Sequence, residues 1–144
     1  MQTFLPLADY AQSAACLDNK RLGKQRVECM QIYNCLIGVT QGWRNHPAVL
    51  MWKGHEGALL AYATQISTEW RSRGKQDKML EWFLPRAQFH LATVDPPPWF
   101  GDEEFHASHR SNLLRKDPAW YSQFGWTEDS SLPYVWPVQA AKRR

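Results

Sequence analysis

PAVLMWKGHEGALLAYATQISTEWRSRG, residues 47–74, is the stretch that decides the fold. Val49, Trp52, Glu56, Leu59, Ala63, Ile66 and Trp70 recur at intervals of three and four, which lines them along one face of a helix. Pro47 suits a first helical position, where the N–H it lacks would be unpaired, and Asn45 or His46 can cap it. Gly74 closes the pattern, so one long helix is expected from Pro47 to about Arg73. Glu56 interrupts the apolar face and must reach a partner or water.

Towards the N-terminus, Asp18 is a candidate cap for a helix reaching Leu36 or Ile37. Its apolar positions Leu22, Cys29, Ile32 and Leu36 share a face, and Gly38 stops it. Asp9 followed by Gln12 resembles a capping box and starts a helical turn. Pro6 keeps residues 1–8 extended or turned. Towards the C-terminus, residues 77–84 read as helical, and Pro85 disturbs the helix beyond them. Asp95-Pro96-Pro97-Pro98 is a rigid connector. Asp102, Glu103 and Glu104 open another helix, ending near Lys116 because Pro118 disfavours helix at Asp117. Ala119 to Phe124 adds a turn, residues 127–139 are irregular, and 140–144 form a frayed basic tail. No repeat and no run of alternating strand pattern is present. The expected fold is all-α: a compact single-domain bundle spanning 1–144, with about three to five helices and an irregular C-terminal tail.

The 144 residues suit one soluble domain, with 44% hydrophobic and 22% charged residues. No apolar run approaches the ~20 residues of a membrane helix, and MQTFLPLADY lacks a signal peptide's basic and apolar regions. The expected location is therefore the cytoplasm. Cys16, Cys29 and Cys35 show no C-x-x-C spacing, against both a disulfide framework and a cysteine zinc site. The eight tryptophans and the net charge of +3 fit nucleic-acid binding. They equally fit a small core filled with tryptophan.

Lys20, Arg21, Lys24 and Arg26 lie within seven residues, and Arg21, Lys24 and Glu28 share a helix face. This is either an exposed ion-pair ladder or a phosphate-binding patch around a carboxylate. His106 and His109 sit near Arg110, Arg115 and Lys116, forming either a phosphate-facing edge or a solvated face. Further metal ligands are not evident beside the two histidines, so no metal is expected there. His46 and His55 suit capping or packing. The absence of G-x-S-x-G, a P-loop and G-x-G-x-x-G disfavours serine hydrolases and nucleotide-dependent enzymes.

Three segments, in this order and spacing, resemble the pyrimidine-dimer DNA glycosylase family, the phage endonuclease V type and its bacterial relatives. In LDNKRLGKQRVECMQIYNCL (17–36), the spacing from Leu17 to Glu28 matches that from a family leucine to the catalytic glutamate. GWRNHP (42–47) is similar to the glycine-aromatic-base-Asn-His-Pro stretch of bacterial members. FHASHRSNLLRKDPAWYSQFG (105–125) is similar to the family's C-terminal helix and its Trp-Tyr-aromatic-Gly ending. Val27 and Gln31 occupy two places where the phage prototype has cations, and the basic residues here lie a turn earlier.

The resemblance implies a metal-free, cofactor-free helical enzyme that excises ultraviolet-induced pyrimidine dimers from double-stranded DNA and then nicks the backbone as an abasic-site lyase. It puts Met1 at the position of the nucleophile, whose α-amine forms an imine with sugar C1′, and Glu28 at the assisting glutamate. Gln2 is bulky, so Met1 is expected to be retained and to supply the amine. An α-amine ionises near ~8 against ~10.4 for lysine, so more of it is neutral and nucleophilic at neutral pH. Nearby cations are expected to lower the Glu28 pKa and keep it ionised. Lys20, Arg21, Lys24, Arg26, Arg44, His46, Arg110, Arg115 and Lys116 are the expected DNA contacts. Trp43, Trp120 and Tyr121 are candidates either to support distorted DNA or to pack the core. The expected protein is a monomer. Two alternatives remain: a glycosylase for another damaged or modified base, and a non-catalytic DNA- or nucleotide-binding protein on the same fold.

Overall fold

Residues 1–138 are described in the computed structural model, so the predicted tail at 140–144 lies outside them. Seven α-helices occur in chain order: α1 (Tyr10–Cys16), α2 (Asn19–Leu36), α3 (Pro47–Leu50), α4 (Glu56–Ser72), α5 (Met79–Phe89), α6 (Glu103–Lys116) and α7 (Pro118–Tyr121). Short 3₁₀ turns come after α5 (Leu91–Thr93) and α7 (Ser122–Phe124), and no strand occurs among the described residues. The all-α expectation holds, with more helices than the three to five expected. No helix among the described residues is long and apolar enough to cross a membrane.

The excess has local causes. Asp9 and Asp18 each cap a separate helix, the Asp9 carboxylate accepting from the Gln12 N–H at 2.8 Å, and Leu17 between them is extended. The expected helix from Pro47 to Arg73 is broken. His46 caps a single turn by accepting from the Ala48 N–H at 3.0 Å, and Gly54 then turns the chain with φ +80°. That left-handed conformation suits glycine because a Cβ would be strained there. Trp52, Lys53 and His55 use i→i−3 bonds, such as Trp52 N–H to Val49 O at 3.1 Å, so the apolar rows stay nearly in register. Val49, Trp52, Leu59, Ala63 and Ile66 are accordingly all buried, as the period demands, although they span two helices and the turn between them. Glu56 accepts from the Gly54 N–H at 3.1 Å, which resolves its place on the apolar face.

α4 is the central helix, packed against α1, α2 and α5. Helix α5 runs through Pro85 to Phe89, where a disturbance was expected. Asp77 starts it, accepting from the Met79 and Leu80 N–H groups at 3.0 and 3.1 Å. Gly57 marks the closest approach to the chain after α5: a Cβ built on it would lie 2.1 Å from His90 O. The Gly57→Ala protein is therefore expected to lose about 2–3 kcal/mol, since backbone on both sides must shift to relieve overpacking. Urea denaturation checks this. A midpoint equal to the wild type's would show that α4 and the 90–94 turn are not packed this way.

Candidate active site

The site begins with a segment that has no regular structure. Residues 2–6 are buried, and side chains from several elements take up their backbone polar groups, as burial requires. The Gln2 carbonyl accepts from Gln25 Nε2 at 2.8 Å. The Phe4 N–H donates to Gln25 Oε1 at 3.0 Å, and the Phe4 carbonyl accepts from the Tyr62 hydroxyl at 2.6 Å. The Leu5 N–H donates to His109 Nδ1 at 3.0 Å, while His106 Nδ1 meets the Leu5 carbonyl at 2.7 Å. Arg110 donates to the Pro6 carbonyl at 2.8 Å, and the Trp52 indole donates to Thr3 Oγ1 at 3.0 Å.

These contacts define the α6 histidines. His109 accepts at Nδ1, so its proton sits on Nε2. Full burial draws its pKa down to about 3, which keeps the ring neutral. His106 donates through Nδ1 and accepts at Nε2 from the Gly101 N–H at 3.0 Å, the opposite tautomer. Both rings face inward and hold the N-terminal segment, rather than forming the expected phosphate-facing edge. Arg110 is buried too. It pairs with Glu103 and, at 2.9 Å, with Glu128, so its charge is satisfied within the fold.

Held this way, Met1 reaches an open cleft of about 320 Å³ whose walls include Met1, Glu28, Lys20, Arg21, Lys24 and Lys116. Phe4, Gln25 and Tyr134 complete the lining together with Gln2. Residues far apart in sequence thus meet: the chain start, one face of α2, and the end of α6. Lys20, Lys24 and Lys116 are exposed and make no salt bridge among the described residues. Arg21 is partly neutralised by Asp18 at 3.2 Å.

Glu28 is half-buried at the cleft wall. Its carboxylate accepts from Gln25 Nε2 at 2.7 Å, and the Gln2 backbone N–H faces it. Burial pushes its pKa above the ordinary value, outweighing the Met1 ammonium and Lys24, which pull it down. The expectation that surrounding cations would hold it below is thereby reversed. Exposed lysine charges are screened by solvent, whereas the lost hydration of the carboxylate is not replaced in full.

The remaining expected contacts do not line this cleft, although His46 lies near the Met1 amine. Arg26 turns away from the cleft, bonding Asp77 at 2.6 Å with its guanidinium 4.5 Å from the centre of the Trp70 ring. Arg115 donates to the Ser130 carbonyl at 2.7 Å and so fixes the C-terminal segment. Arg44 lies on the exposed loop before α3, beside a second hollow shared with Asn45 and Lys53. His46, besides capping α3, sits edge-on between Trp43 and Trp136, with ring centres 5.7 Å away on each side. Burial, and then the charge of the nearby Met1 amine, lower its pKa. Trp43 is 51% exposed, but Tyr121 is buried against Trp126, and the Trp120 indole donates to the Cys16 carbonyl at 2.7 Å. Trp120 and Tyr121 are therefore packing residues. Among the described residues, no three His, Cys, Asp or Glu side chains converge as a metal site.

Gln25 and Tyr62 were missed by sequence reasoning, though Gln25 left a signal. It falls in the row Leu22, Gln25, Cys29, Ile32, a polar residue on a face otherwise destined for the core.

Comparison with known proteins identifies a family for the N-terminal part of the chain. A family model described as pyrimidine dimer DNA glycosylase matches residues 1–81 of the 144, a stretch that carries Met1, Gln25, Glu28 and three of the four cleft cations. No curated protein and no solved structure gives a significant match.

Proposed function

The chain belongs to the pyrimidine dimer DNA glycosylase family, and from that premise we propose that it both excises pyrimidine dimers from duplex DNA and nicks the resulting abasic strand, with the Met1 α-amine as nucleophile. One observation carries the reading: the amine-bearing residue and Glu28 share a cationic cleft, and buried side chains hold the chain start there.

The neutral amine attacks sugar C1′ as the glycosidic bond breaks. The base leaves with the bonding electron pair and takes up a proton. Loss of the ring C1′–O4′ bond gives a protonated imine and a free O4′ hydroxyl. This imine acidifies the C2′ hydrogens. Removal of one of them expels the 3′ phosphate by β-elimination, and water then releases the amine. Glu28, with its pKa raised, is poised to move protons in these steps and to stabilise positive charge at the sugar. Lys20, Lys24 and Lys116 hold phosphates, and the distorted lesion lowers the cost of exposing the sugar.

Strand scission tests the reading. Untagged protein is expected to cut a duplex at a defined thymine dimer and to spare the undamaged duplex. Cutting at another damaged pyrimidine alone would transfer the mechanism to that base. Salt-sensitive binding without scission would replace the enzyme with a binding protein.

The cations give a graded prediction. Alanine at Lys20, Lys24 or Lys116 is expected to weaken DNA binding and to reduce the slope of log affinity against log salt by about one unit each. Alanine at Arg26 or Arg110 is expected to lower the melting temperature and leave the slope unchanged. Fluorescence anisotropy across a salt series separates the groups, and equal slopes for the three lysine variants and the wild type would remove the lysines from the interface.

A further inference from the structure

We propose that Gln25 is the positioning residue of this site, its single side-chain amide fixing the Met1 segment and the Glu28 carboxylate in one register. The inference rests on the mechanism proposed above and names the group that assembles it.

Gln25 is fully buried on an apolar helix face, between Leu22 and Cys29. A hydrophobic side chain would ordinarily serve better there, because buried polarity costs stability unless every bond is made. Here every bond is made. One Nε2 hydrogen goes to the Gln2 carbonyl at 2.8 Å and the other to Glu28 Oε2 at 2.7 Å. Oε1 accepts from the Phe4 N–H at 3.0 Å and faces the Tyr62 hydroxyl at 2.8 Å. The single Tyr62 proton is shared between Oε1 and the Phe4 carbonyl. The amide cannot be turned over, since its nitrogen would then oppose the Phe4 N–H and its oxygen would face two acceptors.

The amide therefore holds the residue next to the nucleophile and the carboxylate through the same nitrogen. A displacement of about 1 Å between them is enough to cost ~10²-fold in rate. Gln25 also contributes to the charge state of Glu28, alongside the other groups at the cleft. These are Met1 and the Gln2 N–H from the chain start, Lys20, Arg21 and Lys24 from α2, Lys116 from α6, and Tyr134 from the C-terminal segment.

Gln25→Glu keeps the shape and replaces the donor NH₂ with oxygen. Tyr33→Phe removes a buried hydroxyl that meets His90 Nε2 at 2.9 Å, away from the cleft, and leaves every Gln25 bond intact. Borohydride trapping on abasic DNA is measured against pH for both, beside thermal melting. Gln25→Glu is expected to trap ~10²-fold more slowly, with the acid limb of its profile moved to higher pH. Tyr33→Phe is expected to stay within about fivefold of the wild type, with an unmoved limb, at a similar loss of melting temperature. Superimposable profiles for the two variants would overturn the proposal and leave the mechanism standing. No adduct with the wild type would instead overturn the mechanism.

A variant-independent measurement covers a Gln25→Glu protein that does not fold. In wild-type protein, the Gln25 side-chain NH₂ resonances are expected to track the titration of the Glu28 carboxyl carbon by NMR. Gln25 signals indifferent to that titration would refute the link.

Discussion

At neutral pH the Glu28→Gln protein is expected to act on dimer-containing DNA at least ~10²-fold more slowly than the wild type, the scale of one lost acid–base group. It is also expected to melt at the same temperature or higher. The two halves of this result have one cause. Burial raises the folded-state pKa of Glu28 above its unfolded value. Folding is therefore coupled to proton uptake at this group, and the ionised carboxylate costs stability at pH above the folded-state value. That cost fades as pH falls and the group protonates. Glutamine is neutral throughout, and its carbonyl can still accept from Gln25 Nε2 and the Gln2 N–H. The variant's advantage in melting temperature should be present at pH 7 and shrink towards pH 4, as calorimetry across that range would read. A variant both inactive and markedly less stable at pH 7 would mark Glu28 as a structural residue.

The second large effect concerns the chain start. One extra residue before Met1, or acetylation of the α-amine, is expected to lower scission and imine trapping by at least ~10³-fold, while DNA affinity changes less than about threefold. An amide nitrogen is not a nucleophile, and each added residue carries the new amine up to ~3.6 Å farther along the chain. The segment cannot slide back to compensate, because residues 2–6 are buried and bonded to Gln25, Tyr62, His106, His109 and Arg110. The lysines of the cleft are untouched by the change, so binding should persist. Gel-shift and scission assays on the same preparations give both readings. Full activity in the extended protein would exclude the α-amine.

Much of this fold is legible in the residues. The caps at Asp9, Asp18 and Asp102 and the stops near Gly38 and Gly74 are local signals, and each acts where its chemistry places it. The break at Gly54 is less legible, because Val49 and Trp52 keep their rows across it, and periodicity reports burial rather than continuity of a helix. Pro85 shows the converse: a local breaker signal overridden by the packing of α5 on α4.

The site divides along the same line. Met1 and Glu28 can be paired through a family resemblance, the charge cluster on the first long helix supplies Lys20, Arg21 and Lys24, and Lys116, also an expected DNA contact, meets them in the cleft. Arg26, Arg110 and Arg115 cannot be told from phosphate contacts by sequence, because their partners Asp77, Glu128 and the Ser130 carbonyl lie at separations no periodic pattern encodes. The same holds for His106 and His109, whose partner is the backbone of Leu5, more than a hundred residues away. What brings Met1 to Glu28 is tertiary: one unpaired segment whose hydrogen bonds come from side chains.

The most direct measurement is borohydride reduction of untagged protein mixed with a thymine-dimer duplex and, separately, an abasic-site duplex, with the crosslinked peptide mapped by mass spectrometry. The account predicts a crosslink at the Met1 amine with both duplexes, and its loss on the dimer duplex in Glu28→Gln. A crosslink at a lysine instead of Met1, or tight binding with no crosslink on either duplex, would contradict it.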